Sequence, residues 1–143
     1  MSRQTSKAFL ILFVCVLTAG CKKPITESDL QKISGYWEID QVILPDGTPK
    51  DYKVNETIDH FTVDGTKGLR QKVKPQFKGG YLPAGDAEPF EIVIDDGVAI
   101  ISYQTPFMKW TEEIVDLTDG RFVVKTADNT EYHYKKAVPF NIK

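Results

Sequence analysis

Apolar and polar residues alternate one by one along most of this chain, and short clusters of Asp, Gly and Asn interrupt the alternation. Phe90, Ile92 and Ile94 fall on one face of an extended segment, and Phe122, Val124 and Thr126 do the same further on. A period of two is the mark of a strand with one face on a core. The pattern predicts strands at about 36–44, 57–63, 68–74, 90–94, 98–103, 109–117, 122–126 and 131–135. Asp-Gly stands between such runs at 46–47, 64–65, 96–97 and 119–120, with Gly79-Gly80 and Asp128-Asn129 as further turn signals. These dipeptides tolerate the positive φ that tight hairpins demand. Thr26-Glu27-Ser28-Asp29 reads instead as a helix start, with a capping oxygen and early acids. Gly35 limits that helix to about residues 27–33. Roughly eight strands joined mainly by tight turns predict an all-β, antiparallel up-and-down meander with a short N-terminal helix. Closing the meander into a barrel removes both exposed edges, so a barrel is expected over a sandwich.

The first twenty residues follow a different pattern. Arg3 and Lys7 precede an unbroken apolar run from Ala8 to Leu17, then the small residues Thr18-Ala19-Gly20 lead to Cys21. Ten apolar residues suit a signal segment and are too few for a spanning helix. Leu17-Thr18-Ala19-Gly20-Cys21 resembles the lipobox of bacterial lipoproteins. That resemblance implies cleavage after Gly20, diacylglycerol on the Cys21 sulfur, and acylation (palmitate, for example) of the new amino terminus. Two or more chains hold a protein stably in a bilayer where one does not. Lys22, in place of an aspartate, points to the outer membrane, and no acidic cluster follows to suggest surface display. The chain thus divides into a signal peptide (1–20), a lipidated tether (21–26) and a barrel domain (27–143).

Without residues 1–20 the chain keeps 123 residues, enough for one domain with its own core. The formal charge of −2 becomes about −4, which argues against a nucleic-acid partner. Cys21 is then the only cysteine and its sulfur is taken, so packing rather than a disulfide must hold the domain. Basic residues Lys67, Arg70, Lys72, Lys74 and Lys78 fill 65–85 without an acid. Asp86, Glu88, Glu91, Asp95 and Asp96 then fill 86–96 without a base. A basic ribbon facing lipid headgroups is one reading; pairing across two neighbouring strands is the favoured one.

Catalytic and metal chemistry find little to work with. His60 and His133 lie in no ligand-spaced motif, and no metal or cofactor is expected. Glu112 and Glu113 are adjacent in a strand and so face opposite ways, while Asp95-Asp96 belongs to a turn. Ser28, Ser34 and Ser102 lie in no nucleophile elbow. An enzyme is not expected.

Gly35-Tyr36-Trp37, just after the short helix and at the start of the first strand, resembles the opening Gly-x-Trp motif of lipocalins. The strand–Asp-Gly–strand units and the closing Tyr132-His133-Tyr134-Lys135-Lys136 resemble the shorter lipocalin-like lipoproteins of Gram-negative bacteria, over about residues 27–136. No Thr-Asp-Tyr motif occurs in the later strands, and lysines stand where lipocalins carry arginine. The resemblance implies a barrel closed at one end by Trp37. Independently of it, a large aromatic opening a strand with Ile39 on the same face is a core anchor, and Lys135 or Lys136 can cover its ring. Eight strands enclose room for side chains or for one small ligand. Phe61, Phe90, Trp110, Phe122 and Tyr132 are candidate ligand contacts. Phe107 and Met108 lie where Tyr103–Met108 breaks the alternation and a rim loop is expected. The expected function is binding of a small apolar ligand by an outer-membrane-anchored protein on the periplasmic side. The alternative is a filled barrel whose surface docks an envelope protein.

Overall fold

The computed structural model describes residues 23–139. The signal segment and Cys21 lie outside the described residues. A 3-10 helix, Glu27–Ile33, leads into ten strands. These are β1 (Gly35–Ile43), β2 (Pro49–Asp51), β3 (Ile58–Asp64), β4 (Lys67–Pro75) and β5 (Tyr81–Pro83), then β6 (Glu88–Asp95), β7 (Val98–Gln104), β8 (Lys109–Leu117), β9 (Arg121–Thr126) and β10 (Glu131–Lys136). All but β2 and β5 form one antiparallel ring of eight, closed where β10 pairs with β1 from Trp37↔Lys136 to Ile43↔Glu131. The fold is an eight-stranded up-and-down barrel.

The eight ring strands are the eight that alternation predicts. The two additional ones are three residues each, and each contains a proline, Pro49 or Pro83. They share an edge with a ring strand: β2 pairs β1 where β3 no longer reaches, and β5 does the same for β4 beyond β6. A proline on such an edge removes a donor that another chain would otherwise pair with.

The turns divide by chemistry. Asp96 and Gly97 both take positive φ, at 48° and 76°, between the paired Asp95 and Val98. That is the two-residue hairpin the dipeptide favours. Asp119-Gly120 departs from this expectation, since neither residue has a positive φ. There Thr118 organises the bend instead. Its N–H donates to the Arg121 carbonyl at 2.8 Å, and its hydroxyl oxygen accepts the Arg121 N–H at 3.0 Å.

The helix closes one end of the barrel. Its start is held by Asp29, whose carboxylate accepts both the N–H and the hydroxyl of Thr26, at 3.0 and 2.8 Å. Three residues per turn place Leu30 and Ile33 on one side, and both are fully buried. Trp37 lies against them and donates its indole N–H to the Ile33 carbonyl at 2.7 Å. Lys136 Nζ covers the Trp37 ring 4.0 Å from its centroid and donates to the Ser34 carbonyl at 3.0 Å. Gly35 makes room for this: at φ 133°, an added Cβ would stand 2.8 Å from that ammonium. Phe122 meets Trp37, Phe61 and Tyr134 at centroid separations of 5.6, 5.5 and 5.7 Å. Ring on ring, this end is solid.

Candidate functional site

At the other end the interior changes character. The ring registers Phe61↔Arg70 and Arg70↔Glu88 place the Arg70 and Glu88 side chains on the same inward face as Phe61. From β8, Glu112 enters with Trp110 and Ile114, its alternate neighbours. Arg70 Nε donates to Glu88 at 2.7 Å, and Nη1 stands 3.5 Å from Glu112. The same guanidinium lies 4.4 Å above the Tyr103 ring and 5.6 Å from the Trp110 ring. Tyr103 and Trp110 are cross-strand partners and stack in parallel at 4.7 Å. Asp59, buried among these groups, accepts a hydrogen bond from Lys72 Nζ at Oδ2 (2.9 Å). The ammonium is also 2.8 Å from Oδ1, off the hydrogen-bonding direction.

Electrostatics in this cluster are set by burial. It pushes the Glu112 carboxyl above its ordinary value, opposed by the Arg70 charge and by the neighbouring Trp110 side chain. Burial works against the Arg70 charge as well, but the surrounding acidic groups outweigh it, and with both tyrosines neutral the carboxylates of Glu112 and Glu88 hold the group cationic. Burial raises both Tyr103 and Tyr134 well above the usual tyrosine range, so both stay neutral. The Tyr103 hydroxyl is buried with no hydrogen-bond partner among the described residues.

Beside this cluster a cleft of about 970 Å³ crosses the rim. Its inward-facing lining is Phe90, Tyr103, Trp110, Thr126 and Tyr132. Outward-facing Glu91, Ser102, Gln104, Lys109 and Thr111 continue it over the strand ends, and the β9–β10 turn adds Ala127 and Asp128. An apolar shelf with a few polar groups converging on it is the usual form of a small-molecule site.

Three of the expected contacts, Phe90, Trp110 and Tyr132, therefore meet in one cleft. Phe61 and Phe122 do not reach it. At 1% and 0% exposure they belong to the packed interior, where opposite strands bring their rings together. Phe107 and Met108 sit apart from the cleft on the β7–β8 loop, 93% and 59% exposed. That loop is ordered by Thr105, whose N–H donates to the Met108 carbonyl at 2.9 Å. Its hydroxyl accepts the N–H groups of Phe107 and Met108, both at 3.2 Å. Gly35 and Trp37 occupy the closed end.

The interior charges escaped the sequence reading, although one signal was there. Trp110 and Ile114 fix the inward parity of β8, and Glu112 lies between them. The opposed charge blocks do meet as strand neighbours, with Arg70 on Glu88. That ion pair lies on the inner face; on the outer face, where pairing was expected, the register sets Lys67 opposite Glu91. His60 and His133 are both half-buried wall residues; His60 stacks on Tyr36 at 4.2 Å, and His133 contacts Glu131 at 3.1 Å. Among the described residues no cluster of three or more His, Cys, Asp or Glu side chains stands ready for a metal.

No family model matches the chain, and no curated protein matches it. Two solved structures are similar in the course of the chain. One is a lipocalin-like protein from Bacteroides uniformis, 14% identical, with a TM-score of 0.47 over 74% of this chain and 99% of its own. The other is an uncharacterized protein from Bacteroides eggerthii, 14% identical, with a TM-score of 0.46 over 73% and 98%.

Proposed function

We propose that this protein is an outer-membrane lipoprotein, held by acyl chains on Cys21, that binds a small ligand with an apolar face in the rim cleft. The anchor rests on the order of charge, apolar run, small residues and cysteine at 3–21. The binding role rests chiefly on one observation: half-buried Trp110, stacked on Tyr103, lies in a cleft large enough for a small molecule. Because the deep interior is solid, the ligand lies across the rim and does not thread the barrel.

The two tryptophans make this testable, since Trp37 is sealed in the closed end. Signal-free Trp37→Phe and Trp110→Phe proteins should be titrated with oleate, palmitate and a flat aromatic probe such as anilinonaphthalene sulfonate. A change in tryptophan emission that persists in Trp37→Phe and vanishes in Trp110→Phe supports the cleft. No change in either, with no retained ligand in native mass spectrometry, removes it.

A second reading is favoured by a separate observation. Phe107 stands 93% exposed on a loop that hydrogen bonds hold in place. A large apolar side chain presented rigidly to water suits contact with another envelope protein.

A further inference from the structure

The tether and the cleft leave the barrel at opposite ends. Ile25 donates its N–H to the Gly97 carbonyl at 3.2 Å and is itself buried. Pro24 lies so close to Gly97 that a Cβ there would stand 2.8 Å from it. Lys23, Pro24 and Ile25 also line a small hollow with Leu117 and Asp119, at the far end of β8. The cleft takes the near ends of the same strands: Pro89 of β6, Gln104 of β7 and Lys109 of β8. The nine residues of β8 separate the two. At ~3.3 Å per residue and the ~40° tilt of barrel strands, that is about 20 Å along the barrel axis.

Cys21 precedes Lys23 by two residues, a reach of at most ~7 Å. We infer that the closed end of the barrel rests on the lipid surface and that the cleft opens away from the bilayer that holds the anchor. This rests on the proposed acylation of Cys21. Too little chain remains for the domain to turn its mouth to that surface. On the β8–β10–β1 side the wall carries paired charges, Lys135 with Asp40 and Arg121 with Asp116, which keep that side in water. The consequence is a route. The ligand reaches the cleft from the aqueous side or from a facing partner, and is not drawn sideways from the membrane in which the protein is anchored.

The test uses the full chain, purified from membranes and reconstituted in phosphatidylethanolamine–phosphatidylglycerol vesicles. Asp119→Cys, in an exposed turn at the closed end, and Phe107→Cys, at the open end, are labelled separately with a maleimide fluorophore. Vesicles carrying a headgroup nitroxide should quench the Asp119→Cys label at least threefold more strongly than the Phe107→Cys label. Equal or reversed quenching in protein that floats with the vesicles overturns the orientation and leaves the anchor standing. If the parent chain does not float with vesicles, or Cys21→Ala floats equally well, the anchor fails and the orientation fails with it.

Discussion

The two ends of this barrel are built on opposite principles. At the closed end Trp37, Phe61, Phe122, Leu30 and Ile33 are at most 1% exposed, and Lys136 serves as a lid over an aromatic ring. At the open end the same inward-facing positions hold Arg70, Glu88, Glu112 and Asp59. An apolar core needs only shape and volume to be stable. A buried charge cluster is stable only while every member keeps its partner. Stability of the fold therefore resides in one end, while the other end carries groups that packing alone would not select. Such groups commonly mark a site.

Removing the largest ring of the closed end should have the greatest effect. Trp37→Ala deletes a fully buried indole, its hydrogen bond to Ile33 and the surface that Lys136 covers. It should cost about 3–5 kcal/mol, the usual range for a buried large aromatic. Urea denaturation of the signal-free domain reads this directly, as a lower midpoint. A loss below ~1 kcal/mol would mean that the closed end is not the stabilising half, and the comparison would collapse.

The open end should respond differently, through charge and pH. Arg70→Met leaves Glu112 and Glu88 without their guanidinium and should cost about 3 kcal/mol at pH 7. Burial already raises the Glu112 pKa above its ordinary value, and losing Arg70 raises it further. A carboxyl with a raised folded pKa binds more protons when folded. Its contribution to stability therefore improves as pH falls through that pKa, and levels off below the unfolded value. The gap between Arg70→Met and parent should accordingly narrow from pH 7 to about 4.5. Asp29, Asp46 and Asp128 act in the opposite sense, because hydrogen bonds hold their pKa values low. They are common to both proteins and cancel in the difference. Adding Glu112→Gln to Arg70→Met should restore most of the loss and flatten its pH dependence. A gap that widens toward low pH would show that Glu112 is not the group left stranded.

How far the sequence could reveal this contrast follows from what sets strand parity. In β6, Phe90, Ile92 and Ile94 declare the inner face, and Asp96-Gly97 spells the turn that follows. In β4 the inward positions are Gly68, Arg70 and Lys72, so no apolar residue announces which side is in. The cluster at the open end was hidden for that reason, and Phe61 and Phe122 passed for pocket residues because nothing local shows how deep an inward ring sits. β2 and β5 were unreadable because three residues with a proline carry no period. Phe107 and Met108, by contrast, were legible as a rim loop through the broken alternation alone.

The smallest effect on folding belongs to that loop, and it separates the two functional readings. Thr105 fixes the backbone of the loop without help from the Phe107 ring, and the ring is 93% exposed. Phe107→Ser removes no buried area and no hydrogen bond made by the side chain. Its stability should match the parent within about 0.5 kcal/mol, as for surface substitutions generally. If the protein works by holding a ligand on Trp110, ligand titrations should also be unchanged, since Phe107 does not line the cleft. If instead it works by docking another envelope protein, the ring is the natural anchor, and a truncated anchor costs a complex about 2 kcal/mol or more. Crosslinking in intact cells from a photoreactive residue at position 107, compared with one at exposed position 119, would then give a discrete product at 107 alone. An adduct at 107 together with no ligand response at Trp110 selects the docking barrel; a response at Trp110 with no adduct selects the ligand cleft.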